Sequence, residues 1–365
     1  MKHPPYIYQI AFTQLYGIGP VRAQRLLNLL PDPTDFFQLP LKKVQQLTSI
    51  SMKQLELANR EAALLIAQTQ QPYIENGQVS YFFTSDAAFP TQLKECPDAP
   101  IGLFYRGTTP TWNQARTLAI VGTRDQSPYG KQLVKELLAT LPKDILIISG
   151  LAQGVDADVH EQALLNGLQT IGVLGHGLDK IYPAKHRDLA LAMTQNGGLL
   201  SEFLVGTGAE RMHFPMRNRI IAGMSDAVVV IESKKNGGSL ITAELANDYN
   251  REVCAFPGAV HYSKSEGCNN LIQNQKAHLI NNPEDLMKIL NWDAAPTEKS
   301  NISKLLSPEK ETIYKLIKQQ TICSIDTIAI QTQLPVAQVS SLVFELELEN
   351  IIQHIGANQY KIPFN

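Results

Sequence analysis

The sequence predicts an α/β protein built on a mostly parallel sheet with helices on both faces. Between residues 76 and 291, six short and nearly uninterrupted apolar runs recur: Leu118–Gly122, Ile145–Gly150, Thr170–Gly175, Leu199–Glu202, Ala227–Glu232 and Val253–Pro257. Such runs mark strands buried on both faces. Stretches with apolar residues at helical spacing separate them, as parallel strands require of their crossovers. Glycines close the first three runs, where the chain must turn into a loop close to any ligand.

Around this Rossmann-like domain, 76–291, the sequence places three further segments. Residues 1–75 are helical, with apolar residues at helical spacing over Val21–Leu30 and Val44–Ala67. Within them Gly17-Ile18-Gly19-Pro20 is similar to a helix-hairpin-helix (SAM-like) turn, whose helix start could hold a phosphate or simply join two packed helices. Seven Lys and Arg against five acids leave this segment barely basic. Residues 292–307 are polar and turn-rich, and predict a linker. Residues 308–365 predict three helices (Glu309–Lys318, Ile325–Thr332, Pro335–Glu349) and two strands (Ile351–Ile355, Gln359–Ile362), the order of a winged helix.

Composition narrows the class of function. The chain has 365 residues, 44% hydrophobic, and a formal charge of −2, so any affinity for nucleic acid must come from a local patch. Its four cysteines (Cys96, Cys254, Cys268, Cys323) are far apart, which predicts a reduced, cytoplasmic protein without structural zinc. No His-Glu-x-x-His pattern or membrane-length apolar run is present, and no signal peptide is expected. Neither Gly-x-Gly-x-x-Gly nor Gly-x4-Gly-Lys-Ser/Thr occurs at a strand end, so no dinucleotide or nucleotide-triphosphate cofactor is expected.

The informative residues sit where strands end, which is where open parallel sheets bind ligands. Ile120-Val121-Gly122-Thr123-Arg124 runs from a strand into a loop, and Ser149-Gly150-Leu151-Ala152-Gln153-Gly154-Val155-Asp156 repeats the design, with Asp156 at a helix start. The next loop carries Lys180 and Lys185, and Phe214-Pro215-Met216-Arg217-Asn218-Arg219 opens an apolar helix. Cations for phosphates beside rings for bases are what single-stranded nucleic acid uses. Taken alone, the arginine pair fits a salt-bridged helix start equally well.

These segments, in this order, with Tyr182-Pro183, Gly238-Ser239-Leu240-Ile241-Thr242-Ala243, Pro257-Gly258 and Gly267-Cys268-Asn269-Asn270-Leu271-Ile272, resemble the DprA/Smf family. The resemblance implies a protein that binds and shields incoming single-stranded DNA during natural transformation, helps load the RecA recombinase, and self-associates as a homodimer. It implies DNA contacts at Arg124, Lys180, Lys185, Phe214, Arg217, Asn218 and Arg219, with Gly122, Thr123, Ser149, Gly150 and Gly154 lining the backbone path. Two departures stand out. Thr123 replaces a common serine, and Lys276 stands where a glycine usually precedes Ala277.

An enzymatic alternative comes from Gly237-Gly238-Ser239-Leu240-Ile241-Thr242-Ala243-Glu244, which resembles the Gly-Gly-x-Gly-Thr-x-x-Glu loop of nucleoside monophosphate phosphoribohydrolases. There Glu244 would help expel the base and Arg217 would position it. Leu240-Ile241 interrupts the phosphate-binding Gly-Thr, so binding without chemistry is the expectation. In the C-terminal unit, the third helix lacks Lys and Arg but carries Glu345, Glu347 and Glu349. Its carboxylates oppose contact with phosphates, leaving a protein contact, intramolecular docking or a purely structural role.

Overall fold

The computed structural model describes residues 3–292, 307–320, 323–348, 351–356 and 358–361. Two compact units divide at Leu290/Asn291. The first begins with seven helices: α1 (Pro5–Thr13), α2 (Pro20–Leu29), α3 (Pro33–Gln38), α4 (Leu41–Thr48), α5 (Met52–Leu57), α6 (Arg60–Gln68) and α7 (Gln71–Glu75). The periodic stretch Val44–Ala67 is broken twice. Ser49 and Asn59 adopt positive φ, and Ser51 and Asn59 cap the next helices by accepting from Gln54 N and Ala62 N.

Nine strands follow: β1 (Ser80–Phe83), β2 (Gly102–Gly107), β3 (Arg116–Val121), β4 (Ile145–Ser149), β5 (Thr170–Leu174), β6 (Gly197–Ser201), β7 (Ala227–Val230), β8 (Glu252–Ala255) and β9 (His278–Leu279). They form one sheet in the order β1-β2-β6-β5-β4-β3-β7-β8-β9. β3 to β8 are the six predicted strands, all parallel to one another, in registers such as Leu118↔Ile147 and Val121↔Val230. β1 and β2 were not among them and pair antiparallel, β2 joining the edge of β6. The intervening helices are α8 (Thr91–Lys94), α9 (Pro128–Thr140), α10 (Val155–Leu165), α11 (Arg187–Met193), α12 (His213–Gly223), α13 (Gly238–Asp248), α14 (Glu266–Gln273) and α15 (Pro283–Ile289).

Strand alternation divides the core between the two faces of the sheet. Leu103, Tyr105, Ala119, Val121 and Leu200 pack in one cluster, whereas Phe104 and Leu199 belong to another. That second cluster also contains Ile7, Phe12, Phe36 and Leu55 from the N-terminal helices. The sequence boundary at residue 75 therefore marks a change of secondary structure without a break in packing, and the helices and sheet form one unit.

The chain steps from β3 outward to β6, then crosses back to β7 on the other side of β3. β3 and β7 thus flank the topological switch point, where the loops beyond the strand ends diverge and leave a crevice.

The second unit contains α16 (Pro308–Gln320), β10 (Cys323–Ser324), α17 (Ile325–Thr332), α18 (Val336–Leu348), β11 (Gln353–Gly356) and β12 (Gln359–Lys361). Its sheet runs β10-β12-β11 around a core that includes Ile313, Ile328, Val343 and Leu346. This is a winged-helix arrangement with one short strand more than expected. The predicted linker lies almost wholly outside the described residues. Among the described residues no helix is long and apolar enough to cross a membrane.

Candidate nucleic-acid interface

At the switch point an open cleft of about 800 Å³ lies beyond the ends of β3 and β7. One wall is Val121-Gly122-Thr123-Arg124, held against the neighbouring strand end by a hydrogen bond from Thr123 N to Glu232 O (2.8 Å). The opposite wall is Ser233, Lys234 and the start of α13, whose N-cap, Gly237, offers no side chain to satisfy the first amides. α12 closes the cleft with Phe214, Arg217, Asn218 and Ile221. A helix start facing cations favours anions.

Arg217 is the polar floor. It is 4% exposed, and its Nε and Nη1 have no hydrogen-bond partner among the described residues. Burial draws its pKa down to about 10; the Asp156 carboxylate opposes that shift and Arg124 adds to it. The guanidinium therefore remains charged at neutral pH, next to a second arginine, with donors unused. Asp156 is itself buried and held above the usual carboxylate range by that burial, with Arg217 pulling the other way. Buried, unpaired cationic donors on a cleft wall call for an anionic oxygen.

Two glycines make this placement possible. A β-carbon on Gly150 would lie 1.6 Å from Arg217 Nη1, so only glycine lets the guanidinium lie there. Gly154, the N-cap of α10, has φ +85°, and a side chain there would strike Thr123 O at 2.4 Å.

Above the floor, the Phe214 ring contacts that of Tyr182 (centroids 5.8 Å apart), and Arg124 Cζ lies 5.7 Å from the Phe214 centroid. Tyr182 is 53% exposed, so the platform is accessible. Exposed Arg211 completes the rim.

The structure thus brings together Gly122, Thr123, Arg124, Phe214, Arg217 and Asn218, with Gly150 and Gly154 behind them. It places the other four elsewhere. Arg219 is buried and ion-paired with partly buried Glu202, and it does not line the cleft. Ser149 is fully buried, its hydroxyl donating to Ile120 O at 2.6 Å and tying β4 to β3. Lys180 lines a separate groove, and Lys185, exposed on a short 3-10 turn, lines neither opening. Sequence reasoning passed over Arg211, Lys234 and the Tyr182 ring as contacts. Lys234 was accessible to it, since Lys234-Lys235-Asn236-Gly237-Gly238 follows a strand as the other loops do.

Glu244 does not line the cleft. It is exposed on α13 and lies 3.7 Å from Lys276, whereas Ser239, Ile241 and Thr242 of that helix do line it. Among the described residues, no group of three or more His, Cys, Asp or Glu side chains is gathered as a metal site, and all four cysteines are buried and unpaired.

Comparison with known proteins places the chain in a family. Residues 80–291 match the family of DNA recombination-mediator protein A, and residues 295–356 match the DprA winged helix domain. Protein Smf of Synechocystis sp. is 35% identical over 286 residues, covering 75% of this chain and 70% of the relative. The X-ray structure of DNA processing protein A from Streptococcus pneumoniae superimposes with a TM-score of 0.66 at 32% identity, covering 79% of this chain and 98% of that one. DNA processing protein A from Helicobacter pylori, whose structure is described for its single-stranded DNA binding mode, gives 0.54 at 30% identity, covering 59% and 97%. The chain belongs to the DNA recombination-mediator protein A (DprA/Smf) family.

Proposed function

We propose that this protein holds single-stranded DNA in the switch-point cleft without altering it chemically. The observation that carries the reading is Arg217, buried and charged, with two guanidinium nitrogens unpartnered at the cleft floor. A phosphate entering the cleft meets that charge. Arg124, Arg211 and Lys234 offer positions for the phosphates on either side, and Tyr182 and Phe214 offer ring faces to the bases. Because every base has a π-face, the protein binds with little sequence preference.

The same reading makes the protein a mediator that protects incoming single strands in the cytoplasm during natural transformation. It presents them, as a homodimer, to RecA. Support comes from the family to which the chain belongs and from the Helicobacter pylori relative described for single-strand binding. Titration of single-stranded against duplex oligonucleotides, with native mass measurement, tests binding and self-association together. Equal affinity for duplex would sink the first part. RecA filament growth on strands coated with a single-strand-binding protein, with and without this protein, tests the handover. Catalysis is tested by incubation with nucleoside monophosphates. Release of free base, abolished by Glu244→Ala, would establish the hydrolase reading instead.

A further inference from the structure

Ile181 and Tyr182 are neighbours in sequence but line different openings. Tyr182 faces the switch-point cleft, whereas Lys180, Ile181 and Ala184 line a second groove of about 590 Å³. Segment 180–184 thus contributes to both. Another wall of the groove is α11 with its C-cap, which contributes Arg187, Ala190, Leu191 and, at the cap, Thr194. These positions, spaced i, i+3, i+4 and i+7, form one helix face. Leu199 of β6 lies in the floor, and Arg106 of β2 stands opposite it in the strand register.

The charges in the groove are unbalanced. Arg106, Lys180 and Arg187 are exposed, and no side chain of the three has a hydrogen-bonding or ion-pairing partner among the described residues. The one acid in the lining, Asp179, is engaged by Gly206 N at 2.7 Å. Beside these cations Leu191 is 58% exposed, an apolar surface next to half-buried Ile181. Three cations along an apolar wall have the chemistry of a short run of nucleotides: phosphates to the cations, bases to the hydrocarbon.

We propose that this groove is a second single-strand subsite, taking the nucleotides that follow those in the switch-point cleft after the strand bends over the 180–184 ridge. The inference rests on the reading under Proposed function and extends its DNA path. It also gives Lys180 a role that the first cleft does not. The occupant is single-stranded because a duplex, with a persistence length of about 150 base pairs, resists bending over a ridge one segment wide.

The test is fluorescence anisotropy on the full chain with oligothymidylates stepped from about 4 to about 16 nucleotides. Wild type is compared with the triple variant Arg106→Ala/Lys180→Ala/Arg187→Ala. Both proteins should bind the shortest oligomers equally, which also reports that the variant is folded. On the longest, the variant should bind more weakly, and its salt slope should be flatter by about 2, at about 0.7 per phosphate contact. The gain from extra binding registers on long strands is common to both proteins. Equal loss at every length, or no loss at any, overturns the second subsite while leaving the first cleft standing. Wild type binding no oligomer of any length overturns the cleft reading and this one with it.

Discussion

Gly150 and Arg217 fit each other so closely that a single β-carbon on residue 150 would overlap Nη1 at 1.6 Å. Gly150 does not have a positive φ, so the constraint is one of space and not of backbone conformation. Gly150→Ala should therefore displace the guanidinium from the cleft floor and weaken single-strand binding about as much as Arg217→Ala. Overpacking should also cost about 1–3 kcal/mol of stability in urea unfolding. In an Arg217→Ala background the same change should cost little, because its obstacle is gone. Additive penalties in that cycle would show that the contact is not what requires the glycine.

The cation and ring of the Arg124–Phe214 pair should separate by salt dependence. Arg124→Ala removes a phosphate contact and should flatten the slope of log affinity against log salt by about 0.7, whatever the base sequence. Phe214→Ala should cost about 1–3 kcal/mol of stacking while leaving that slope in place. If both substitutions change the slope alike, Phe214 is acting only by holding Arg124.

How the arginines divide shows where sequence reasoning stops. Arg217 and Arg219 are identical and two positions apart, and both were expected at the DNA. On a helix, two positions turn a side chain by about 200°, so the pair cannot face the same way. Periodicity alone thus forbade the joint assignment, but which one faces the cleft depends on how α12 packs and on Glu202, 17 residues upstream. The parallel strands were legible because runs such as Leu118–Val121 are apolar on both faces. β2 was harder, since its strand turns exposed and polar at Arg106. Lys180 and Lys185 were misplaced relative to the first cleft because the path of an irregular loop is not written in its residue types.

The Arg219–Glu202 pair yields a contrasting prediction. Both side chains are largely withdrawn from solvent, so removing one partner leaves a charge without compensation. Arg219→Ala should destabilise the fold by about 3–5 kcal/mol. Single-strand affinity, measured where the variant is still folded, should be unchanged. A specific loss of affinity without loss of stability would return Arg219 to the DNA path.

The C-terminal unit should be dispensable for strand binding. Its α18 exposes Phe344 and Leu348 beside Glu345, which pairs with Lys310 at 2.9 Å, and carries no basic side chain. Deleting residues 301–365 should leave single-strand affinity and its salt slope intact. A large loss in a truncated chain that still unfolds cooperatively would assign DNA contacts to this unit.

The last prediction concerns acid stability and starts from His160 on α10, fully buried with Nδ1 2.6 Å from Thr170 Oγ1. The Thr170 hydroxyl donates to Ile147 O, so Nδ1 carries the imidazole proton and Nε2 is left without a partner among the described residues. A second proton would have no acceptor. Burial, helped by the charges of Arg217 and His186, lowers the pKa from 6.5 to about 3. An unfolded histidine takes its proton near 6.5, the folded one only near 3, so the unfolded state binds more protons in between. Stability contributed at neutral pH is therefore lost as pH falls through that window, at up to about 1.4 kcal/mol per pH unit. His160→Asn should be less stable than wild type at neutral pH, yet lose stability less steeply on acidification. Urea midpoints of the two proteins should thus converge between pH 6.5 and 3. Parallel curves would mean that His160 is protonated as easily inside the fold as outside it.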